Sequence, residues 1–159
     1  MTRINAGIEP ADLVDQHLTA EYREIIRIPN VLNKTSKDKI KSSLKKQPTE
    51  FKLGTGHVLF FYTRIKYLHD RFISLKAEMD HRGILNNIDD ECFKNCKTIH
   101  PELYNDLFVT SDAKDIIGSR ILNRVWSMKS LKKDKKEMDR IRYVSHIASK
   151  YAMKYQFPI

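Results

Sequence analysis

The sequence predicts an all-α fold, a single compact domain of about three main helices joined by long connecting loops. Two long stretches carry apolar residues at helical spacing, a third returns towards the C-terminus, and nothing resembles a consecutive set of strands. At 159 residues the chain can bury one hydrophobic core and is short for two. Residues 1–159 are therefore read as one domain, with a lysine-rich extension or insertion beginning near residue 127.

The first helix is expected from Pro10 to Arg27, with Pro10 tolerated in the first turn and the Ile28-Pro29 step ending it. Val14, Leu18, Tyr22, Ile25 and Ile26 gather on its apolar arc, while Gln16, His17, Arg23, Glu24 and Arg27 occupy the polar one. The lysine-dense stretch that follows, up to Gly56, is read as a solvated connection with one short helix. It serves either as a plain surface loop or as a DNA-contacting arm.

From His57 to Gly83 the helical signal is strongest: Phe61, Ile65, Leu68, Phe72, Leu75 and Met79 recur at steps of four and three, and Gly83 suits a C-terminal cap. Residues 86–112 read as an irregular surface connection. A third helix is expected after Ser111 or Asp112 as cap, with Ile116, Ile117, Ile121, Leu122 and Val125 as its apolar positions. A second basic run covers Lys129 to Arg142.

Composition narrows the partners. A net charge of +9 attracts polyanions and releases counterions from phosphates, which makes nucleic acid the leading partner. No apolar run is long enough for a membrane span, and the start lacks the apolar stretch of a secretory signal, so an intracellular protein beginning at or next to Met1 is expected. Cys92 and Cys96 imply no disulfide framework. With His100 they stand at steps of four, but no fourth ligand is evident, and no metal or organic cofactor is expected. Glycine-rich phosphate loops and the strained serine turn of the hydrolases are absent from the sequence.

Two features point to chemistry. Thr2 is small enough to permit removal of Met1, which would expose an α-amine with a pKa of about 7.7 to 8.0, against about 10.4 for lysine. A fraction of such an amine is an unprotonated nucleophile near neutrality, and the adjacent Arg3 disfavours its ammonium form further. Glu24 lies about two turns from His17 on one helical face, beside Arg23 and Arg27, which are available to phosphates. A carboxylate on a DNA-binding face costs phosphate affinity. It is either half of an intrahelical Glu-Arg pair or a working group.

MTRIN at the start, DQHLTAEYRE with the following Arg27, and LGTGHVLFFY together resemble the signature segments of the phage-type pyrimidine dimer glycosylases, the endonuclease V family. The resemblance runs in order and spacing to Arg82-Gly83, and continues weakly at SRILNR around Arg120 and Arg124. It implies a mostly helical enzyme that recognises cyclobutane pyrimidine dimers in duplex DNA. In that reading the Thr2 amine attacks C1′, displaces the base and forms a Schiff base, and β-elimination then breaks the strand. Glu24 matches the catalytic carboxylate, and Arg3, Gln16, His17, Arg23, Arg27, Arg120 and Arg124 match DNA-binding positions. Members kink the duplex and flip a base. The family's C-terminal run of alternating aromatic and basic residues is not reproduced as a block; Trp126 stands in NRVWSMK, followed by a lysine-rich insertion and a separate KYAMKYQF. The alternatives are a related glycosylase and AP lyase for another damaged or modified base, or a noncatalytic DNA-binding module. A monomer is the simpler expectation for a protein that slides along DNA.

Overall fold

The computed structural model describes residues 2–154, so Met1 and the last residues of the KYAMKYQF segment lie outside it. The fold is mostly helical, as the sequence predicts, but it has more than three helices, several of them short. The described chain divides into two compact units, one formed by residues 2–4 and 20–108 and the other by residues 5–19 and 109–154.

The predicted first helix is three pieces. Pro10–Asp12 forms a 3-10 turn, Leu13 is extended, α1 runs over Asp15–Ile25, and α2 over Arg27–Asn33. Pro29 does not end a helix. It sits in the first turn of α2, where a backbone N–H has no intrahelical partner to lose.

The lysine-dense stretch contains the one short helix expected of it, α3 (Lys37–Leu44), whose N-cap Ser36 accepts from the Lys39 N–H. The predicted second helix is interrupted. A short α4 (His57–Phe60) is followed by a turn, then α5 (Ile65–His81). Gln47 stabilises the break, its Nε2 donating to the carbonyls of Leu59 (3.0 Å) and Phe60 (3.2 Å) and to the Thr63 hydroxyl (3.0 Å). Arg64 lies over the Phe60 ring at 3.9 Å. Hydrophobic periodicity runs through such a break unchanged, because both pieces face the same core. At the far end of α5 the expected cap is present: Gly83 has φ +63°, its N–H reaches the Asp80 carbonyl at 3.0 Å, and the Ile84 N–H reaches that of Met79 at 2.8 Å.

α5 is the spine of the first unit, burying Ile65, Leu68, Phe72, Leu75 and Met79. The stretch expected to be irregular holds α6 (Glu91–Ile99), which packs on α2 and α5 and buries Phe93 and Cys96. Three ties hold the C-terminal half of α1 in this unit. Tyr22 stacks on Phe72 with centroids 5.3 Å apart; its hydroxyl accepts the Ile88 N–H at 2.8 Å; and buried Glu21 receives a two-pronged bond from Arg71, at 2.6 and 3.1 Å. Removing one partner of such a pair strands the other charge out of water. Arg71→Met is accordingly expected to cost about 3 to 5 kcal/mol of stability, checked by denaturant unfolding; a loss below about 1 kcal/mol would show that the pair is solvated.

In the second unit α7 (Ser111–Ser127) packs on α8 (Arg140–Lys150). The cap of α7 is Thr110, whose hydroxyl accepts from the Ala113 N–H at 3.1 Å, rather than Ser111 or Asp112. A Cβ at Gly118 would stand 1.9 Å from the Met153 methyl, so a side chain there would require the end of that methionine to move. Asp12 is buried beneath α8: Tyr143 donates to its carbonyl at 2.7 Å, and Lys150 at 2.7 Å and the Tyr151 hydroxyl bind its carboxylate. Burial pushes that carboxyl up, but the bonds from Lys150 and Tyr151 outweigh it and hold it below the usual aspartate range.

The expectation of no strands is corrected by a hairpin, β1 (Lys132–Lys133) and β2 (Lys136–Glu137), paired antiparallel. Its turn residues, Asp134 and Lys135, both have positive φ, 52° and 65°. Neither is glycine, so the sequence gives no turn signal here. The strain is offset by Asp15, whose carboxylate accepts the N–H groups of Asp134 (3.0 Å) and Lys135 (2.7 Å).

Candidate active site

In the first unit the N-terminal segment is held by two successive backbone N–H groups. That of Arg3 donates to Oε2 of Glu24 at 2.9 Å, and that of Ile4 donates to Nε2 of His57 at 3.1 Å. Thr2 is 8 % exposed and Ile4 is fully buried. The segment is thus anchored, and the carboxylate of Glu24 stands one peptide unit from the nitrogen of Thr2.

Glu24 occupies the last turn of α1 and is half-buried. Its neighbours Glu21, Tyr22 and Ile25 face the interior and fix the rotation of the helix, while Arg23 and Arg27 are exposed. The acceptor role toward Arg3 ties Glu24 to the N-terminal segment, a contact the intrahelical Glu-Arg alternative does not need. The arrangement can do two things. A fixed carboxylate stabilises positive charge developing beside it and can carry a proton; exposed guanidinium groups flanking it can bind phosphates.

The second unit holds the other residues singled out by sequence. Gln16 turns its amide to the hairpin, Nε2 donating to the Ser130 carbonyl at 3.1 Å and Oε1 accepting from the Lys132 N–H at 3.4 Å. His17 is half-buried. Arg120 donates to Oδ1 of Asn5 at 2.7 Å, and Arg124 is exposed in the last turn of α7. Lys132, Lys135 and Lys136 of the hairpin are exposed. Asp15 and Gln16 therefore give the second basic run a fixed shape that its sequence does not announce.

Cys92 and Cys96 both have thiols pushed up to about 11 by burial, which disfavours the thiolate form. His100 turns Nε2 to the Leu32 carbonyl at 3.1 Å, and among the described residues no group of His, Cys, Asp and Glu could hold a metal ion. Nor is any described helix long and apolar enough to cross a membrane.

Sequence reasoning missed His57 as a site residue. The available signals were its place in the LGTGHVLFFY segment and the Gly54-Thr55-Gly56 turn before it. Gly54 and Gly56 have φ of +70° and +96°, a conformation glycine adopts without a steric penalty, and Gly56 is the N-cap that delivers His57 to the start of α4.

A family model described as pyrimidine dimer DNA glycosylase matches residues 1–92, more than half of the chain. The matched span includes Thr2, Arg3, Glu24 and its flanking arginines, and His57 with the glycine turn that places it. The chain belongs to the pyrimidine dimer DNA glycosylase family.

Proposed function

We propose that this chain is a bifunctional DNA repair enzyme that recognises cyclobutane pyrimidine dimers in duplex DNA, cleaves the N-glycosidic bond and nicks the strand as an AP lyase, with the α-amine of Thr2 as nucleophile. The amine lone pair attacks C1′ of the damaged nucleotide; the glycosidic bond breaks, and the base separates from C1′ with its electron pair and takes up a proton, staying joined to its neighbour through the cyclobutane ring. Loss of a proton from nitrogen and opening of the sugar give the Schiff base. Removal of a C2′ proton then expels the 3′ phosphate, and hydrolysis of the imine returns the amine. The carboxylate of Glu24 stabilises the cationic sugar and the imine and assists the proton transfers. The observation that carries this reading is the 2.9 Å bond from the Arg3 N–H to Glu24, which brings carboxylate and N-terminus together.

Arg3, Arg23 and Arg27 in one unit, and Gln16, His17, Arg120 and Arg124 in the other, serve DNA binding in this reading. A dimer step is poorly stacked and costs less to open than an intact one, so deformability carries much of the recognition. The hairpin lysines supply phosphate contacts and the salt-dependent affinity that supports scanning. Replacing Lys132, Lys135 and Lys136 with Gln is expected to reduce the slope of log affinity against log salt by about 0.9 for each phosphate no longer neutralised, leaving the rate of cleavage in the bound complex unchanged. An unaltered slope, measured by fluorescence anisotropy over a salt series, would remove the hairpin from the DNA interface.

The test of the activity is cleavage of a duplex oligonucleotide carrying one dimer, beside the same duplex with one abasic site. Scission of the glycosidic bond at one base of the dimer, that base staying joined to its neighbour through the cyclobutane ring, and a break on its 3′ side are expected. Cleavage of the abasic duplex alone would retain the lyase and reject dimer specificity; binding without cleavage of either would leave a noncatalytic DNA-binding module.

A further inference from the structure

We propose that His57 is a positioning residue that sets the reach of the Thr2 amine, by holding the N-terminal segment through the Ile4 N–H; this rests on the imine chemistry proposed above. The ring sits between two backbone groups of opposite kind. Nδ1 lies 3.1 Å from the Lys52 carbonyl, which can only accept, so this nitrogen carries the proton. Nε2 lies 3.1 Å from the Ile4 N–H, which can only donate, so this nitrogen presents its lone pair. The two partners select one neutral tautomer, in which both bonds are satisfied at once.

The surroundings hold the ring in that pose. His57 is 4 % exposed. The edges of aromatic neighbours meet it, Phe51 at 5.3 Å and 87° and Phe61 at 5.4 Å and 79°. Its backbone is fixed by the bond from its own N–H to the Gly54 carbonyl at 3.1 Å. Each link from the glycine turn to Ile4 is therefore a specific bond, and two residues before Ile4 stands Thr2.

Glu24 fixes the Arg3 peptide group, and His57 fixes the next one, so the two bonds together set the direction in which the chain runs back to Thr2. Misplacement of a reacting atom by about 1 Å costs on the order of 100-fold in rate, so loss of the second anchor acts on chemistry, whereas DNA affinity comes from charged groups elsewhere.

The experiment measures borohydride-trapped adduct on an abasic duplex in a single turnover, together with the Kd for that duplex, for the parent protein, His57→Leu and His57→Gln. Leucine fills the space without an acceptor; glutamine can accept the Ile4 N–H with its carbonyl and donate to Lys52 with its amide. His57→Leu is expected to trap about 10- to 100-fold more slowly at unchanged Kd, and His57→Gln to recover most of the rate. Trapping by His57→Leu at the parent rate, a loss of DNA binding in step with trapping, or no recovery in His57→Gln would overturn the assignment. Should His57→Leu fail to fold, the ring ¹⁵N shifts of the parent protein decide: a proton on Nδ1 is expected, and a proton on Nε2 contradicts the proposal. A parent protein that forms no adduct overturns the imine reading itself, which separates that failure from indifference of the His57 variants.

Discussion

A preparation that retains Met1 is expected to form no borohydride-trapped adduct through Thr2, while still binding duplex DNA. With Met1 in place the Thr2 nitrogen is an amide whose lone pair is delocalised into the carbonyl, and it cannot attack carbon. The α-amine then belongs to Met1, displaced by as much as about 3.3 to 3.6 Å along the chain. Since an error of about 1 Å costs on the order of 100-fold, the displaced amine gives at least that loss. The charges that bind phosphates are untouched, so affinity and its salt dependence stay where they were. Intact-mass measurement sorts preparations by the presence of Met1, and trapping on abasic DNA measures each. Equal trapping by protein with and without Met1 would contradict the Thr2 amine as the nucleophile.

Glu24→Gln is expected to lower the cleavage rate by about 100- to 10,000-fold while leaving DNA binding intact. Gln has the shape of Glu, and its carbonyl oxygen can still accept the Arg3 N–H, so the anchor seen at 2.9 Å survives the change. Only the negative charge is removed. The cationic sugar and imine then develop without a counter-charge, and the group can no longer take a proton. Because a carboxylate near phosphates opposes binding, its neutralisation leaves the affinity equal or slightly tighter. Single-turnover cleavage and anisotropy on the same dimer-containing duplex separate the two effects. Binding and cleavage falling together would show Glu24 to be structural, a part of the N-terminal anchor with no charge to contribute to the reaction.

How far the sequence could be read depended on whether a signal was local. The apolar positions of α5 and the glycine cap at Gly83 were legible because both follow from spacing and from one residue's permitted φ. The break between α4 and α5 was not, since it is braced by Gln47, which is distant in sequence and binds the Leu59 and Phe60 carbonyls there. Nor was the hairpin: a turn of Asp134 and Lys135 has no glycine, and what stabilises it is a carboxylate at residue 15. α6 was hidden for a similar reason, its core contributions being only Phe93 and Cys96 within an otherwise polar segment.

The site divides along the same line. Residue types and helical position marked Thr2 and Glu24 as candidates, and the resemblance to a family gave them roles. Their adjacency, through the Arg3 N–H, is a contact across 21 residues that no local pattern contains. His57 lies within one of the signature segments, yet its type and position alone give it no role, because the value of a buried imidazole depends on which backbone groups face its two nitrogens.

The atom that carries the covalent bond separates the Thr2 amine from every other nucleophile the chain could offer. Reduction of the complex with an abasic duplex by borohydride, followed by digestion and mass spectrometry, locates the nitrogen bonded to the sugar. Attachment to the α-nitrogen of Thr2, in an N-terminal peptide lacking Met1, is the predicted result. Attachment to a lysine side chain, or no attachment by protein shown to lack Met1, would contradict it.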